Sequence, residues 1–492
     1  MTKERKRLLA GLAATAVVLL PLAWFWQQSL VPSTYSVMDM GYVDYGGGPK
    51  AAGHGAHGGH HGGTSVKDLV ADPQRKADVT VDLVARQGKT KLASGREIDG
   101  YTINGRTPGP TVTATQGQLV EVHLRNASVE GGVSLHWHGV DVPNAEDGVA
   151  GVTQDAVSVG RTHTYRFVAD QVGTFWYHSH QVSHEQVIGG LFGALTIHPK
   201  PSDAEAMQDV VGLAHTYNGT RTIDGEERVT RVPAKAGENV RVRLINTDNG
   251  TMPVWASQPF RVVSIDAGDL NEPTPVDGTF LRIPAGGRAD LVVQVPASGA
   301  ARVQVAAATA FVIGPDRAKS PARPVQPKDE LDLSTYGTPK ALPFDVKHPD
   351  RTFDYSIGRR PGFLDGKPGL WWSINGHLWP DVPMFTVREG DVVKFHIENH
   401  SGEVHPMHLH GHHAVVVARN SKPAKGSPVW VDSIDVEDNE TVDIVFKADN
   451  PGVWMDHCHN LPHAAQGLVA HLMYEGVSTP FKVGGNTDNK PE

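Results

Sequence analysis

The only cysteine of this 492-residue chain lies in a histidine-rich segment. Cys458 is flanked by His457 and His459, and His463 follows five residues after the cysteine. In a β-strand, successive side chains point to opposite faces, so Cys458 would face one side and its two neighbours the other. Such a strand would join two metal sites through one residue, which suits electron transfer. A buried free cysteine beside surface histidines is the simpler alternative, but three further histidine clusters weigh against it.

Eight histidines of the chain form four His-x-His pairs. Residues i and i+2 of a strand share a face, so each pair presents two imidazoles together. A structural zinc site takes four ligands and usually includes thiolates, so eight imidazoles exceed one such site. Imidazole-rich ligation suits copper, and several ions are needed to use all eight. The pairs are His136 and His138, His178 and His180, His408 and His410, and His457 and His459.

A second ligand set is formed by His405, Cys458 and His463. Two imidazoles and one thiolate are the ligands of a trigonal blue-copper site, which usually adds a weak axial thioether. The expected axial position, ten residues after the cysteine, holds Leu468, which cannot ligate. We therefore expect a raised reduction potential for copper at this site.

The folded part of the chain contains a threefold internal repeat. Each copy starts with Gly, has Asn as its tenth residue and alternates apolar residues between them, as a half-buried strand does. The copies span 117–126, 237–246 and 390–399. They predict three related β-domains at 78–200, 205–312 and 345–480. No long amphipathic helix interrupts these ranges, so antiparallel sandwiches are expected.

Only the first and third of these domains carry the histidine pairs. In both, a phenylalanine precedes the second pair by the same eleven residues, Phe167 before His178 and Phe446 before His457. The comparable part of the second domain has no histidine. The second domain is therefore predicted to be a metal-free spacer, and the other two to form the halves of one metal site.

Residues 1–27 predict a membrane segment. A basic stretch, residues 3–7, precedes an uncharged apolar run from Leu8 to Trp26, which is close to the length of a spanning helix. The positive flank places the N-terminus in the cytoplasm and the remainder outside, at the cell surface or in a periplasm. An uncleaved anchor is favoured over a cleaved signal peptide, which would leave a secreted protein, because no clean cleavage site follows.

Three further segments lack strand patterning. Residues 28–77 are predicted to be a flexible Gly/His-rich linker, 313–344 a Pro-rich connector and 481–492 a polar tail. Four linker histidines could collect copper, and this question stays open; they are His54, His57, His60 and His61. The net charge of −9 gives no reason to expect nucleic acid as a partner.

Together, the four histidine motifs resemble the copper signatures of three-domain multicopper oxidases, a group that includes laccases, cuprous oxidases and ferroxidases. The motifs lie at 136–139, 176–180, 405–411 and 457–463, and the resemblance spans about 78–480. It implies an all-β chain of three cupredoxin-like Greek-key β-sandwiches. It also implies four copper ions: one type 1, one type 2 and a type 3 pair.

Matched position by position, the resemblance implies a role for each motif residue. His136 and His408 would bind type 2 copper, and Cys458 with its flanking histidines would pass electrons from donor to cluster, where O2 is reduced to water. Asp147 resembles the carboxylate that supplies protons beside type 2 copper, although an Asp-Gly turn also explains it. The type 3 ligands would be His138, His178, His180, His410, His457 and His459.

The electron donor is less well defined by the sequence. A phenol-like small molecule, as in laccases, is the default expectation because it needs only an open rim. The alternative is a metal-ion oxidase, cuprous or ferrous, although the nine scattered methionines form no cluster of the cuprous-oxidase kind. Glu403 and Asp456 could lie beside the type 1 site as ferroxidase carboxylates do, but solvated carboxylates are the simpler interpretation. A copper store without oxidase activity is a third hypothesis.

Overall fold

The computed structural model describes residues 2–49, 63–202 and 207–492. Almost all regular structure after the first helix is β-strand, arranged mainly as three sandwiches of two sheets each. The expectation of an all-β, three-sandwich chain is confirmed. The histidine tract 54–61 lies outside the described residues.

The first sandwich is built from two four-stranded sheets. His136, His138 and His178 belong to one of them, in which Phe192–His198 and Gly173–His178 form the centre. That sheet, in spatial order, consists of Val112–Thr115, Phe192–His198, Gly173–His178 and His136–His138. The facing sheet consists of Glu97–Ile103, Val79–Lys91, Leu119–Asn126 and Thr162–Val168.

The second sandwich has two six-stranded sheets. One consists of Thr220–Ile223, Gln208–Tyr217, Asn239–Asn246, Arg288–Gln294, Phe260–Ile265 and Gly268–Asp269. The other consists of Val229–Pro233, Thr309–Gly314, Ala301–Val305, Met252–Ala256, Thr279–Ile283 and Asp329–Glu330. The first of these sheets places the start of Arg288–Gln294 towards the histidine pairs.

The third sandwich combines a six-stranded and an eight-stranded sheet. The six-stranded sheet carries the cysteine strand and consists of Tyr42–Asp44, Pro383–Val387, Val469–Tyr474, Val453–Cys458, His405–Leu409 and Ser433–Val436. The other consists of His377–Leu378, Lys367–Ile374, Arg351–Leu364, Val392–Asn399, Thr441–Lys447, Ala414–Arg419, Lys422–Pro423 and Trp430–Val431.

The repeated asparagine has the same structural role in each sandwich. Asn126, Asn246 and Asn399 are fully buried at the end of their strands. Each side-chain amide donates to one backbone carbonyl three or four residues on and to another more than 30 residues on. Each side-chain oxygen also accepts from a backbone N–H two or three residues on, an Asx-type turn. The repeated asparagine therefore joins the loop after its strand to a more distant segment of the same domain.

Helices are few and short apart from the first. Lys3–Gln28 has no buried residue and is long and apolar enough to cross a membrane. This fits either a signal peptide or an anchor. The other helical turns are Ser183–Gln186, Leu461–Ala465, Val37–Asp39, Val66–Asp68, Asn144–Glu146 and Gly485–Thr487.

The described parts of the expected linker and tail are paired with the body. Tyr42–Asp44 forms an edge strand beside Pro383–Val387. Two shorter strands add to this: Thr34–Tyr35 pairs with Val483–Gly484, and Thr64–Ser65 with Val477–Ser478. Gly and His content suggested a free tether, but backbone hydrogen bonds to strand edges hold these residues whatever their side chains.

Candidate metal centres

In the first sandwich and again in the third, a short antiparallel pair of strands sets the spacing of the histidines. In the first sandwich His136 lies opposite His178, and in the third His408 lies opposite His457. His136 and His138 both lie within one strand, so alternation turns them to one face. His180, His410 and His459 lie just past the ends of their strands. The two faces meet, and we call the buried region between them the seam.

Six of the eight seam histidines form two groups of three. Within each group, one nitrogen from every ring lies within 4.8 Å of the others. The first group takes two histidines from the first domain and one from the third, and the second group reverses these numbers. The groups are His138, His178 and His459, and His180, His410 and His457.

His136 and His408 are the remaining two seam histidines. Their Nε2 atoms are 3.4 Å apart, one from each domain. His410, a member of the second group, also has a nitrogen within 4.8 Å of this pair.

The seam has the properties of a metal site. Its histidines are buried, and Nε2 of His178, His180 and His459 has no hydrogen-bond partner among the described residues. Burial lowers the pKa of His180 and of His459 to about 3, so these imidazoles are neutral. Unpaired buried nitrogens are costly, whereas neutral imidazole nitrogens are good copper ligands. The residues present therefore fit copper.

Hydrogen bonds from the outer ring nitrogens orient several of these imidazoles. Nδ1 of His136 donates to the backbone carbonyl of Asp147 at 2.9 Å, and Nδ1 of His408 donates to that of Asp432 at 2.9 Å. Nδ1 of His410 donates to the Asp147 carboxylate at 3.0 Å. Asp147 is fully buried, so it is part of the site rather than a solvated turn residue.

The second centre lies on the other face of the cysteine strand. Cys458 Sγ is 3.6 Å from His405 Nδ1 and 3.8 Å from His463 Nδ1, and these two nitrogens are 3.3 Å apart. Cys458, His405 and Leu468 are fully buried, while the His463 side chain keeps 11 % exposure. The seam histidines His457 and His459 are thus the direct chain neighbours of a residue of this centre, Cys458.

Glu403 and Asp456 lie in different environments near this centre. Glu403 Oε2 lies 3.5 Å from His463 Nε2, and Glu403 Oε1 accepts from Arg359 at 2.6 Å. Asp456 shares a face with Cys458, but that face is the interior of the sandwich, where burial raises the pKa of Asp456 to about 8. The expectation of a solvated carboxylate is wrong for Asp456.

The second domain supplies no ligand to these groups, yet it closes one side of the seam. The carbonyl of Gly286 accepts from Trp176 Nε1 at 3.1 Å. A Cβ at Gly286 would lie 2.7 Å from His138 Nε2, so only glycine allows this approach. Arg288, two residues on, lies 3.5 Å from His138 Nδ1. No motif in the sequence pointed to this loop.

Another acid at the seam comes from the expected polar tail. Glu492 is buried, with Oε1 3.3 Å from His457 Nδ1, and Ser183 donates to Glu492 Oε2 at 2.5 Å. Burial raises the pKa of Glu492 to about 8. Sequence spacing gave no signal for Glu492, because it lies far from every histidine motif along the chain.

Comparisons with known proteins agree with this geometry. Models described as multicopper oxidase match residues 85–202 and 349–476, which contain all four motifs. The chain is 27% identical to Laccase-1 of Botryotinia fuckeliana, covering 82% of this chain and 83% of that protein. It is also 27% identical to the iron transport multicopper oxidase FET3 of Gibberella zeae, covering 84% and 78% respectively.

A solved structure extends the agreement to the fold. The multi-copper oxidase from Pseudomonas thermotolerans superposes with a TM-score of 0.65 at 25% identity, covering 81% of this chain and all of that one. The three β-sandwiches, the two candidate centres and the matched family together define a copper-dependent oxidoreductase that uses O2. The chain belongs to the multicopper oxidases.

Proposed function

We propose that this protein oxidises small, phenol-like one-electron donors at the His405–Cys458–His463 centre and reduces O2 to water at the seam. Bound copper would supply the one-electron and four-electron redox chemistry of these two steps. The observation that carries the proposal is the position of Cys458, whose thiol belongs to one centre while its two chain neighbours belong to the other.

The proposed ligand assignment follows the groups of side chains. His405, Cys458 and His463 would hold type 1 copper, and His136 and His408 type 2 copper. Leu468 would leave the axial position of type 1 copper without a ligand. One type 3 ion would be held by His138, His178 and His459, and the other by His180, His410 and His457.

The protein's own side chains have defined tasks in this scheme. The backbone that links Cys458 to His457 and His459 is a direct covalent path between the two centres. Burial of both centres excludes bulk water. Asp147 fixes His136 through its carbonyl and His410 through its carboxylate, and we propose this carboxylate as the proton donor to the seam.

The donor would approach the exposed edge of His463. Trp372 packs against His463 with ring centroids 4.4 Å apart, and the Arg359 guanidinium lies 3.8 Å above the Trp372 ring. Beside this edge, Glu403 is 46 % exposed and can accept a hydrogen bond from a phenol hydroxyl. No deep pocket is needed for such a donor.

A metal-ion oxidase is the second candidate, and Glu403 is also the observation that favours it. A carboxylate 3.5 Å from His463 Nε2 could hold a cuprous or ferrous ion near the type 1 centre. Its pairing with Arg359 opposes this role, because the guanidinium already neutralises the carboxylate and repels a cation.

Oxygen uptake with three donors separates the two candidates. The purified, copper-loaded protein is assayed with a phenol, Fe(II) and Cu(I), alongside the Glu403→Gln and Glu398→Gln variants. Glu398 is a similarly exposed glutamate that contacts His396 instead of His463, so it is the matched control. We expect the phenol to be the best donor, with a change below about tenfold for Glu403→Gln.

Preference for Fe(II) or Cu(I), with a loss of about 10–100-fold only in Glu403→Gln, would support the second candidate instead. No oxygen uptake with any donor, despite full copper loading, would contradict both.

We also propose that Lys3–Gln28 anchors the sandwiches outside the cytoplasm. The basic residues that precede its apolar run support this orientation. Membrane fractionation followed by N-terminal sequencing tests it: an intact N-terminus in the membrane fraction is expected, whereas a shortened soluble protein would identify a signal peptide.

A further inference from the structure

Arg288 of the second domain is fully buried where the three domains meet. Its Nη1 and Nη2 donate to the two carboxylate oxygens of Asp432, in the third domain, at 2.5 Å each. Its Nε donates to the carbonyl of Thr174, in the first domain, at 3.1 Å. Because a bidentate pair fixes the plane of both groups, Arg288 sets the orientation of Asp432.

Asp432 in turn contacts two seam histidines. Its carbonyl accepts from His408 Nδ1, and its Oδ1 lies 3.5 Å from Nδ1 of both His408 and His138. The His138 and His408 rings are stacked, with centroids 3.7 Å apart and planes 10° apart. In the proposed assignment these rings belong to different copper ions, so a movement of Asp432 would disturb both.

We propose that Arg288 is a positioning residue that fixes His138 and His408 for copper by holding Asp432 in one orientation. The inference rests on the proposed function, since it concerns the copper ligands assigned there. It gives the second domain, predicted from the sequence to be a spacer, a part in the geometry of the seam.

Arg288 is closely packed on both the first-domain and the second-domain side. A Cβ at Gly139 would lie 2.2 Å from Arg288 Nη2 and 2.8 Å from Asp432 Oδ2. On the second-domain side, Asp266 Oδ1 lies 3.3 Å from Arg288 Nη1, and Asp266 Oδ2 accepts from the backbone N–H groups of Asp432 and Ser433. The guanidinium is thus held by groups from all three domains.

The test compares Arg288→Lys with Arg243→Lys in the full, copper-loaded chain. Lysine keeps the buried positive charge but lacks the bidentate fork. Arg243 is a matched control, because it is also buried in the second domain, pairs with Asp290 at 2.7 Å and donates to the Thr174 side chain. The hydrogen bonds of Arg243 go to no seam histidine.

Three quantities are measured: the electron paramagnetic resonance spectrum of type 2 copper, the dissociation constant of that copper and the blue absorption. For Arg288→Lys we expect an altered type 2 spectrum and a dissociation constant raised about 10–100-fold, with the blue absorption kept. For Arg243→Lys we expect the wild-type values. A wild-type spectrum and dissociation constant in Arg288→Lys, or equal changes in both variants, would overturn the inference.

A second variant decides the matter if Arg288→Lys does not fold. Asp432→Asn keeps the backbone carbonyl that accepts from His408 but breaks the bidentate pair, so the same spectral change is expected, and an unchanged spectrum would overturn the inference. Failure of the proposed function differs from either result, because the wild-type protein itself would then show no type 2 copper signal.

Discussion

The first and third domains bring the same strand to the seam, and the two copies differ at its centre. The first domain has His178-Ser179-His180 where the third has His457-Cys458-His459. Ser179 and Cys458 are both fully buried. The Ser179 hydroxyl donates to Gln186 Oε1 at 2.6 Å, whereas the Cys458 thiol faces two imidazoles. The flanking histidines serve the seam in both domains, but only the third domain surrounds the central residue with metal ligands.

The neighbours explain why the first domain has no second centre. Equivalent spacing places Val133 where the third domain has His405, and His184 where it has His463. His184 is about one-third exposed and belongs to no candidate metal group among the described residues. Of the three ligand positions, only that of His184 still holds a possible ligand in the first domain. The strand alone therefore does not define the centre.

The largest effect is expected from Cys458→Ser. Serine removes the thiolate ligand, so the intense thiolate-to-copper absorption should disappear and donor oxidation should fall to background, while most seam copper stays bound. Absorption spectra, copper content and oxygen uptake measure this. A blue colour that survives the substitution would show that the type 1 assignment is wrong.

The reciprocal change, Ser179→Cys, is the matched control. A thiol at this position would meet Gln186 and the backbone of Gln181 in place of the two imidazoles, so no additional blue absorption is expected. A new thiolate-to-copper band in this variant would mean that the cysteine alone specifies the centre.

A smaller effect is expected from Asp147→Asn. Asp147 and Asp432 hold His136 and His408 in the same way, each through its backbone carbonyl, but only the Asp147 carboxylate bonds to His410. The amide keeps the carbonyl contact and removes the acid, so turnover should fall about 10–100-fold with copper content unchanged. Oxygen uptake and copper analysis test this, and wild-type turnover would exclude the carboxylate as the proton donor.

The smallest effect is expected from Leu468→Met. A thioether at the axial position stabilises cupric ion, so the reduction potential of type 1 copper should fall, while the seam and its copper content stay unchanged. Redox titration of the blue absorption measures the shift. An unchanged potential would place the axial position elsewhere.

Residues related by short spacing could be predicted from the sequence. The His-x-His pairs, the alternation around Cys458 and the repeated asparagine all depend on strand periodicity, and the structure brings those histidines together. Arg288, Asp432 and Glu492 could not be predicted, because each reaches the seam from another domain or a distant segment. The burial of Asp456 could not be predicted either, because spacing from Cys458 does not reveal that this strand face is interior.

The most direct test is anomalous diffraction at the copper absorption edge from crystals of the copper-loaded protein. Four peaks per chain are expected, one among His405, Cys458 and His463 and three in the seam. The seam peaks should lie within each group of three histidines and between His136 and His408. Histidine pairs that hold no copper between the two domains, or fewer than four ions per chain, would contradict the account.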